Sequence, residues 1–488
     1  MLIDTDGRRL SPAVLEGATT AVVRELRLRG IGPGDRVMLT GANTEEFILT
    51  LFALMELGVS IALVDCRIPV PEQDRLSAEA GARWLITDAP PTTGGSGAAR
   101  LALAALCAGA ATAAPAGVRG GRGAAPLDRF ARWFAREDAL IVWSSGSTGA
   151  PKGIVRSGAS IAANIERTRV RMAYRSDDVL LPLLPFTHQY GLSMLLLWCT
   201  TGCSLVVQTR SQRVDLSLTV IAEHAVTVVD AVPATYHTLL NMLESGRGTA
   251  AGLGSVRMWC VGGEPLGREL SERFRSRTGK PLLDGYGSSE AGNIALAVLP
   301  NPVGCGRPLD GIGVRVVDEA GLPVPPGVIG EIVVRTPDYM TGLLGPGGTV
   351  LPVDRAEYRT HDIGRLDAVG NLTVLGRRAA VHRLGHTLYP DGIADRASAC
   401  GAPVRVVPVP GGQLNQAQLV FFVADPAGRP ASHWRAAVSE HIAEHERPNR
   451  VVVLPEFPLN NTGKIDRQSL LKQAEIAVAR DGERGVLR

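Results

Sequence analysis

Lysine is scarce in this chain of 488 residues, and most compositional signs of a specialised class are missing as well. Only four of the 51 basic residues are lysines, which indicates a general preference for arginine and makes a lysine in a glycine-rich stretch worth examining. The seven cysteines are scattered and form no C-x-x-C pair, which argues against a disulfide framework and a cysteine zinc site. The net charge of +3 is too small for the field that non-specific nucleic-acid binding requires, so no nucleic-acid partner is expected.

Long uninterrupted hydrophobic runs are also absent. The most apolar stretch, residues 179–207, contains Pro182, Pro185 and two glycines, so it does not read as a membrane span. The first ten residues carry acids and arginines where a signal peptide needs an apolar run. We therefore expect a cytoplasmic protein with reduced cysteines, no membrane span and no structural metal.

The residues that are present describe a large α/β protein of about two to four domains. Residues 11–60 follow a helix, strand, helix pattern, and short buried strands are predicted at 204–208, 226–232 and 256–263, each beside a helical pattern. Such an alternation predicts mostly parallel sheets covered on both faces. Residues 88–127, rich in alanine, glycine and proline, are expected to form a surface excursion or a frayed pair of elements, and no chemistry is assigned to them.

The pattern changes in the last third of the chain. After Gly306, pairs of β-branched residues separated by turns predict a small antiparallel sheet or barrel. From about residue 378 onward the chain has its own strands and two amphipathic helices, the first over residues 433–445. This last segment is long enough to fold as a separate domain.

A glycine- and hydroxyl-rich stretch, SSGSTGAPKG at residues 144–153, follows a predicted buried strand. Its glycines allow the backbone N–H groups to turn toward a ligand, its hydroxyls add donors, and Lys152 adds a positive charge, a combination that suits a polyphosphate. The Walker pattern does not fit, because Lys152 follows Pro151 and precedes Gly153. An unspecialised flexible loop is the alternative. The candidate phosphate-binding residues are Ser144, Ser145, Gly146, Ser147, Thr148, Gly149 and Lys152.

Two further stretches suit a nucleotide. In DGYGSSE at residues 284–290, Tyr286 offers a flat ring for a purine and Glu290 an oxygen ligand for Mg²⁺, although a turn with a tyrosine is the simpler interpretation. In YRTHD at 358–362, followed by Arg377, an acid suits ribose hydroxyls and an arginine suits phosphate, the alternative being a surface turn with a salt bridge.

The last stretch, PLNNTGKIDR at residues 458–467, puts Lys464 on a loop that contains glycine, from which it could reach a distant site. An exposed lysine without a function is the default for such a position.

Together, in this order and at these separations, the four stretches resemble the adenylate-forming superfamily of acyl- and aryl-CoA synthetases, peptide-synthetase adenylation domains and luciferases. The family carries signatures close to T-S-G-[ST]-T-G-x-P-K-G, Y-G-x-[TS]-E, Y-[RK]-T-G-D and P-x-x-x-x-G-K-[IL]-x-R. They are matched from Ser144, Tyr286, Tyr358 and Pro458, with Ser144 in place of the first threonine and His361 in place of one glycine. The resemblance covers nearly the whole chain.

The resemblance implies a fold of two domains. Residues 1–376 would form a large N-terminal domain of parallel-rich α/β sheets with a small barrel-like part, and residues 377–488 a small, mobile α+β domain. Members activate a carboxylate with ATP and Mg²⁺, release pyrophosphate, and commonly pass the acyl group to the thiol of CoA or of a phosphopantetheine on an acyl carrier protein.

The resemblance also assigns roles to residues. Lys464, Glu290, Arg377 and Lys152 would be catalytic, with Glu290 the magnesium ligand and Lys464 between the carboxylate and the α-phosphate. The nucleotide would further contact Gly262, Gly263, Glu264, Tyr286, Gly287, Ser289 and Asp362, with Asp362 on the ribose and Ser289 on the α-phosphate.

Two departures bear on the acceptor. Ala379 stands where two-step members carry an aspartate or lysine at the hinge, and His382 stands where a lysine is common. A hinge needs only permissive backbone angles, so rotation of the domain can survive, and drift at a tolerant site explains the change equally well.

The substrate is expected to meet His188, Asp230 and Cys260. Residues 185–191 resemble the gate of acyl- and aryl-CoA synthetases, and Thr187 replaces the acid that grips an α-amine, which disfavours an α-amino acid. Asp230 near the end of an apolar strand is costly unless paired, so we expect it to bind an amino group away from the carboxylate. Capping of the following helix is the alternative.

These features predict an ATP-dependent, AMP-forming acid ligase that acts on a small, amino-bearing or aromatic carboxylic acid. One alternative keeps adenylation but uses a non-thiol acceptor, for example in amide formation or in nitrite activation for diazotisation of an aryl amine. A second alternative is a catalytically silent family member that only binds nucleotide or partners.

Overall fold

The computed structural model describes residues 1–88, 98–110, 128–145, 151–208, 214–246, 252–264, 266–318, 320–354, 357–376, 381–383, 386–388, 390–410, 417–458 and 467–485. The helices are α1 (Pro12–Leu28), α2 (Glu45–Leu57), α3 (Val70–Glu79), α4 (Leu103–Cys107), α5 (Ala131–Phe134), α6 (Gly158–Met172), α7 (Gln189–Thr201), α8 (Val214–Glu223), α9 (Pro233–Glu244), α10 (Arg268–Thr278), α11 (Pro390–Ala397), α12 (Ala431–Ser439) and α13 (Arg467–Gly485).

The strands are β1 (Leu2–Asp4), β2 (Arg9–Leu10), β3 (Arg36–Thr40), β4 (Ser60–Val64), β5 (Trp84–Thr87), β6 (Ala99–Ala102), β7 (Leu140–Ser145), β8 (Pro151–Arg156), β9 (Val179–Pro182), β10 (Ser204–Val207), β11 (Val228–Ala231), β12 (Met258–Gly262), β13 (Leu282–Ser288), β14 (Gly292–Leu296), β15 (Arg307–Pro308), β16 (Gly313–Val317), β17 (Gly330–Arg335), β18 (Gly342–Leu344), β19 (Val350–Pro352), β20 (Tyr358–Leu366), β21 (Leu372–Gly376), β22 (Val381–Arg383), β23 (His386–Leu388), β24 (Val404–Val409), β25 (Gln418–Ala424) and β26 (Arg450–Leu454).

Local chemistry fixes where the first helices begin and end. The Ser11 hydroxyl accepts the N–H of Val14 at the start of α1, and the Thr44 hydroxyl accepts the N–H of Phe47 at the start of α2. Helix α2 ends at Gly58, whose φ of 73° lies in the left-handed region that glycine adopts without strain. The helix, strand, helix pattern predicted for residues 11–60 is confirmed.

Two large sheets carry most of the chain. One has nine strands in the order β15-β14-β13-β12-β11-β9-β10-β1-β2, and the other has eight in the order β19-β18-β8-β7-β4-β3-β5-β6. The central pairs are parallel, as the alternating pattern predicted, and antiparallel strands lie at both edges of the nine-stranded sheet and at the β19 edge of the eight-stranded sheet. The α/β class is therefore confirmed.

Alternate residues of the nine-stranded sheet face two different hydrophobic cores. Val228 and Cys260 belong to the larger core, whereas Val229 and Trp259 belong to the smaller one. A strand buried on both faces needs apolar residues at every position, which explains the continuous apolar runs in the sequence. Asp230 has the same parity as Val228, so it lies on the face of the larger core.

A four-stranded antiparallel sheet follows in the order β16-β17-β20-β21. It begins soon after Gly306, where the β-branched pairs predicted a small antiparallel sheet. Between residues 88 and 127, the described part holds β6 and α4, while residues 89–97 and 111–127 lie outside the described residues.

The carboxyl-terminal part has its own core. Strand β25 pairs with β24 antiparallel and with β26 parallel, and helices α11 and α12 pack on this sheet. Helix α12 ends at Ser439, so the helix predicted through residue 445 was too long. A 3-10 turn replaces its last part, and there the N–H of Ala443 donates to Oε2 of Glu446 at 3.0 Å.

Contacts divide the chain into two compact units. The first comprises Met1–Cys66, Asp74–Trp143 and Gly153–Gly376, and the second comprises Arg67–Gln73, Ser144–Lys152 and Arg377–Arg488. All seven cysteines are free thiols. Within the described part of the chain, the length and hydropathy that a bilayer crossing demands are not met by any helix.

Candidate active site

The carboxyl ends of three adjacent parallel strands bring most of the predicted site residues of the first unit to one edge of the nine-stranded sheet. Asp230 of β11 lies opposite Cys260 of β12, and Gly262 of β12 lies opposite Gly285 of β13. Ligands of open parallel sheets bind outside this edge, because the strands end and the loops open there.

Tyr286 and Asp362 are joined directly. The Tyr286 hydroxyl donates to Oδ2 of Asp362 at 2.6 Å, although the two residues are 76 positions apart. Burial raises the pKa of Tyr286 well above its ordinary value and the Asp362 carboxylate raises it further, so the phenol stays protonated and acts as the donor. Two motifs of the sequence, YGSSE and YRTHD, therefore meet in one hydrogen bond.

His361 shows why the family pattern has glycine before this aspartate. Its φ is 60°, in the left-handed region that is strained for most side chains. Histidine is one of the residues that tolerate this region, and Nδ1 of His361 lies 3.3 Å from Oε1 of Glu331. The backbone turn that presents Asp362 is kept despite the departure.

Three glycines let backbone segments approach one another closely here. A Cβ on Gly262 would lie 3.1 Å from both the Gly285 carbonyl and the Tyr190 ring, and a Cβ on Gly287 would lie 2.7 Å from the Gly292 carbonyl. Gly263 has a φ of +87° and precedes Glu264, which is half-buried. A side chain at Gly262 or Gly287 would therefore displace a neighbouring segment at this edge of the sheet.

Asp230 is a buried carboxyl with one partner. Its side chain is 2 % exposed, and Oδ1 accepts the Tyr190 hydroxyl at 2.9 Å, while Oδ2 has no hydrogen-bond partner among the described residues. Burial raises the pKa of Asp230 to about 7, and the Tyr190 hydrogen bond offsets part of that rise. The alternative that Asp230 caps α9 is wrong, because Val232 occupies the cap and no side chain bonds there.

Cys260 and two further tyrosines surround this carboxyl. The Asp230 charge adds to burial in raising the pKa values of Cys260, Tyr174 and Tyr236. The Tyr236 hydroxyl donates to the Cys260 carbonyl at 2.7 Å from the other face of the sheet. The Cys260 thiol therefore stays protonated and acts as a small apolar lining group beside Asp230.

Asp284, two residues before the YGSSE motif, is a second buried carboxyl. The Cys305 thiol donates to its Oδ2 at 3.2 Å, and burial raises the pKa of Asp284 to about 7. It lies two residues before Tyr286 on β13, so its contacts fix the strand that presents the ring.

Glu290 lies in the turn between β13 and β14. Its carbonyl accepts the N–H of Met340 at 2.7 Å, and its side chain is half-buried. Ser289, beside it, is also half-buried. One carboxylate on a turn suits Mg²⁺ that arrives with the phosphates of ATP, because this ion keeps several waters and needs only one or two protein carboxylates. Within the described ranges, no cluster of three or more His, Cys, Asp or Glu side chains could hold a metal ion.

His188 is positioned by an acid that the sequence analysis missed. Its Nε2 lies 2.9 Å from Oδ2 of Asp65, which follows β4 and is 7 % exposed. His188 directly precedes α7, and Thr187 beside it is buried. The hydroxyl of Thr187 carries no charge, whereas the resemblance places an acid at this position in enzymes that hold an α-amine.

The predicted phosphate loop is described only at its two ends. Ser144 and the backbone of Ser145 end β7, and the exposed Lys152 lies in the neighbouring strand β8. Gly146, Ser147, Thr148, Gly149, Arg377, Ala379 and Lys464 lie outside the described residues, as does the side chain of His382.

The sequence analysis also passed over Tyr190 and Arg156. Tyr190 lies within the 185–191 motif, but its partner Asp230 is 40 positions away in the chain, so no signal in the sequence pointed to their contact. Arg156 is a charged residue at the end of an apolar strand, which was the same signal that drew attention to Asp230.

Comparison with known proteins agrees with this geometry. The family model described as AMP-binding enzyme matches residues 1–344. The 4-coumarate–CoA ligase 5 of Oryza sativa subsp. japonica is 29 % identical over 96 % of this chain and 90 % of its own length.

Two solved structures share the fold. The first is an o-succinylbenzoate CoA synthetase from Bacillus subtilis, with a TM-score of 0.79 and 23 % sequence identity; the match covers 97 % of this chain and 95 % of that one. The second is an amide bond synthetase from Marinactinospora thermotolerans, with a TM-score of 0.76 and 23 % sequence identity; the match covers 97 % of this chain and 96 % of that one. The family predicted from the motifs is confirmed, and the chain belongs to the AMP-binding enzymes of the adenylate-forming superfamily.

Proposed function

We propose that this AMP-forming acid ligase activates a small carboxylic acid with Mg·ATP and then passes the acyl group to the thiol of CoA or of a carrier-bound phosphopantetheine. In the first step a carboxylate oxygen attacks the α-phosphorus, the bond to the bridging oxygen breaks, and pyrophosphate leaves. In the second, the thiol attacks the acyl carbonyl and AMP leaves. The observation that carries the proposal is the Tyr286 to Asp362 hydrogen bond, which joins two separate family motifs at one strand edge.

The nucleotide side of the site uses residues of the first unit. Tyr286 offers its ring to adenine beside the glycines that end β12, and Asp362 accepts the ribose hydroxyls with a carboxylate whose orientation the Tyr286 hydroxyl fixes. A positioned acceptor costs less to order when the ribose binds, so the pair supports nucleotide affinity.

The phosphate side rests on Glu290 and on residues outside the described part. Mg²⁺ bound with ATP would be held by Glu290 and would neutralise charge on the leaving pyrophosphate. The loop from Ser144 to Lys152 would hold the pyrophosphate, Ser289 the α-phosphate, and Lys464 would bridge the carboxylate and the α-phosphate. Arg377 would contact phosphate from the start of a mobile domain spanning residues 377–488.

The acid is proposed to be aromatic or to carry an amino group away from its carboxylate. The name of the 4-coumarate–CoA ligase supports an aromatic acid. Asp230 supports a donor on that acid, since its Oδ2 is buried without a partner and an amine N–H would satisfy it. His188 and Cys260 would complete the lining. Reduced cysteines support a cytoplasmic location.

The test is pyrophosphate exchange into ATP with a panel of aryl, fatty and β-amino acids, followed by AMP release with each acceptor. We expect exchange with an aromatic or amino-bearing acid and AMP release with CoA or a carrier protein. AMP release only with amines or nitrite would show that the acceptor is not a thiol. ATP binding without exchange for any acid would mean a silent family member and would refute the proposal.

Lys464→Ala and Lys472→Ala form a matched pair for the catalytic step. Lys472 is exposed on α13, so its loss should leave exchange unchanged, whereas loss of Lys464 should lower exchange by about 100-fold or more because charge at the α-phosphate is no longer balanced. Equal activity of the two variants would remove Lys464 from the mechanism.

A further inference from the structure

Arg156, the last residue of β8, has no exposed surface. Its Nη2 donates to the Asp338 carbonyl at 2.9 Å, while Nε and Nη1 have no hydrogen-bond partner among the described residues. Burial lowers the pKa of Arg156 to about 10, so the guanidinium still carries its charge at neutral pH. A buried charge with two open donors is costly, and an apolar side chain would fill the same space at less cost.

Among the described residues, two carboxylates, those of Asp338 and Glu290, act electrostatically on Arg156. The Asp338 carboxylate is 1 % exposed and is already bound by Nη1 of Arg167 at 2.8 and 2.9 Å and by the Asn164 amide at 3.1 Å. Two guanidinium groups therefore face one carboxylate in this core. The electrostatic partners of Arg156 are Asp338 and Glu290, and Glu290 supplies the second negative charge.

The two segments that hold Glu290 both touch Arg156. Gly292, two residues after Glu290, has a φ of +73°, and a Cβ there would lie 3.0 Å from Nη1 of Arg156. On the other side, Arg156 donates to the Asp338 carbonyl, and two residues later the Met340 N–H donates to the Glu290 carbonyl. Arg156 thus contacts the segment that follows Glu290, at Gly292, and the segment that hydrogen-bonds to the Glu290 backbone, at Asp338.

We propose that Arg156 is a positioning residue of the Mg·ATP site. Its buried charge balances the Glu290 carboxylate and fixes the turn that carries it, before the phosphates arrive. A neutral side chain of similar length would keep the packing and lose the charge. This inference rests on the proposed role of Glu290 in binding Mg·ATP.

The experiment measures the Kd of Mg·ATP by calorimetry on the full chain, with adenosine as a ligand that lacks phosphate. Arg156→Met should weaken Mg·ATP by about tenfold and adenosine by less than about twofold, with Arg156→Lys between the variant and the wild type. Arg257→Met is the control, because the Arg257 guanidinium pairs with the buried Asp178 carboxylate and Glu290 is not among the groups that shift the pKa of Arg257. Its Kd values should stay at those of the wild type.

A double-mutant cycle with Glu290→Gln separates positioning from packing. In the Glu290→Gln background, Arg156→Met should change the Kd of Mg·ATP by less than about twofold, since the charge that it balances is gone. Additive losses, or equal weakening of Mg·ATP and adenosine, would overturn the proposal. Should Arg156→Met fail to fold, the same cycle with Arg156→Lys decides, and additivity there overturns it. A wild-type chain that does not bind Mg·ATP would refute the proposed function itself.

Discussion

Two tyrosine to aspartate hydrogen bonds lie at the same edge of the nine-stranded sheet, and they differ in burial. Tyr286 donates to a half-buried Asp362, whereas Tyr190 donates to Asp230, which is 2 % exposed. The same bond therefore does two things. At Asp362 it orients a carboxylate that solvent and ligand can reach, and at Asp230 it only partly offsets the cost of removing a carboxylate from water.

The difference in burial between the two aspartates separates nucleotide binding from recognition of the acid in the proposed reaction. An accessible, oriented acceptor suits the ribose hydroxyls of ATP, because ATP binds in every reaction cycle whichever acid is used. A buried acid with an open oxygen suits a donor on one particular acid, because only a substrate that carries that donor removes the penalty. The Asp362 pair should therefore affect all substrates equally, and the Asp230 pair should affect their ranking.

The largest expected effect is on the pH dependence of stability. The pKa of Asp230 is raised to about 7 in the folded chain, above its ordinary value of about 4, so the folded state binds more protons than the unfolded state between these values. Stability should fall as pH rises through this window, by an upper limit of about 4 kcal/mol for this group.

Melting temperatures at pH 5 and pH 8 measure this effect. Asp230→Asn keeps an acceptor for Tyr190 and does not titrate, so it should lose less stability than the wild type between the two pH values. Asp284→Asn is expected to act in the same direction, because burial also raises the pKa of Asp284 to about 7. Identical slopes for wild type and Asp230→Asn would contradict the buried charge.

Loss of the accessible carboxylate should have the next largest effect. Asp362→Ala removes a charged acceptor for the ribose, which we expect to raise the KM for ATP about 10- to 100-fold and to leave the ranking of acids unchanged. Steady-state kinetics with two acids at varied ATP provide the measurement. A changed ranking of acids with an unchanged KM for ATP would reverse the assignment of the two pairs.

Asp230→Ala should change the ranking of acids and leave the KM for ATP nearly unchanged. We expect selectivity for an amino-bearing acid over its desamino analogue to fall about tenfold, while the KM for ATP stays within about twofold. Asp284→Ala serves as control, since it also removes a buried carboxyl, one that the Cys305 thiol already occupies. If selectivity survives in Asp230→Ala, the proposed amino-group contact is wrong.

The smallest expected effect is the loss of stability when the hydroxyl of Tyr190 or Tyr286 is removed. Tyr190→Phe and Tyr286→Phe each remove one hydrogen bond and should lower stability by about 1 kcal/mol. Tyr190→Phe leaves the buried Asp230 with neither oxygen bonded and should therefore cost more than Tyr286→Phe. Urea unfolding of the two variants side by side tests the order, and an equal loss would mean that burial does not separate the pairs.

The motifs predicted the family. They also named Tyr286 and Asp362, which the structure joins by a hydrogen bond, while the nucleotide role of the two residues stays a prediction. Strands such as β11 and β12 were predicted because their apolar runs are continuous. Motifs and apolar runs depend on residues that are close together in the sequence. The end of α12 was not predicted, since the 3-10 turn at Glu446 depends on a side chain that bonds back to the backbone of Ala443.

By itself, the sequence determined the family, the α/β class and the residue types available for chemistry, because periodicity and ordered motifs are properties of neighbouring residues. Only the tertiary structure decided that Asp230 does not cap α9 but takes the Tyr190 hydroxyl, that Asp65 lies against His188, and that Arg156 lies next to Gly292 in the segment that carries Glu290. Burial and long-range contact set the cost of each charge, and both arise only when segments far apart in the chain pack together.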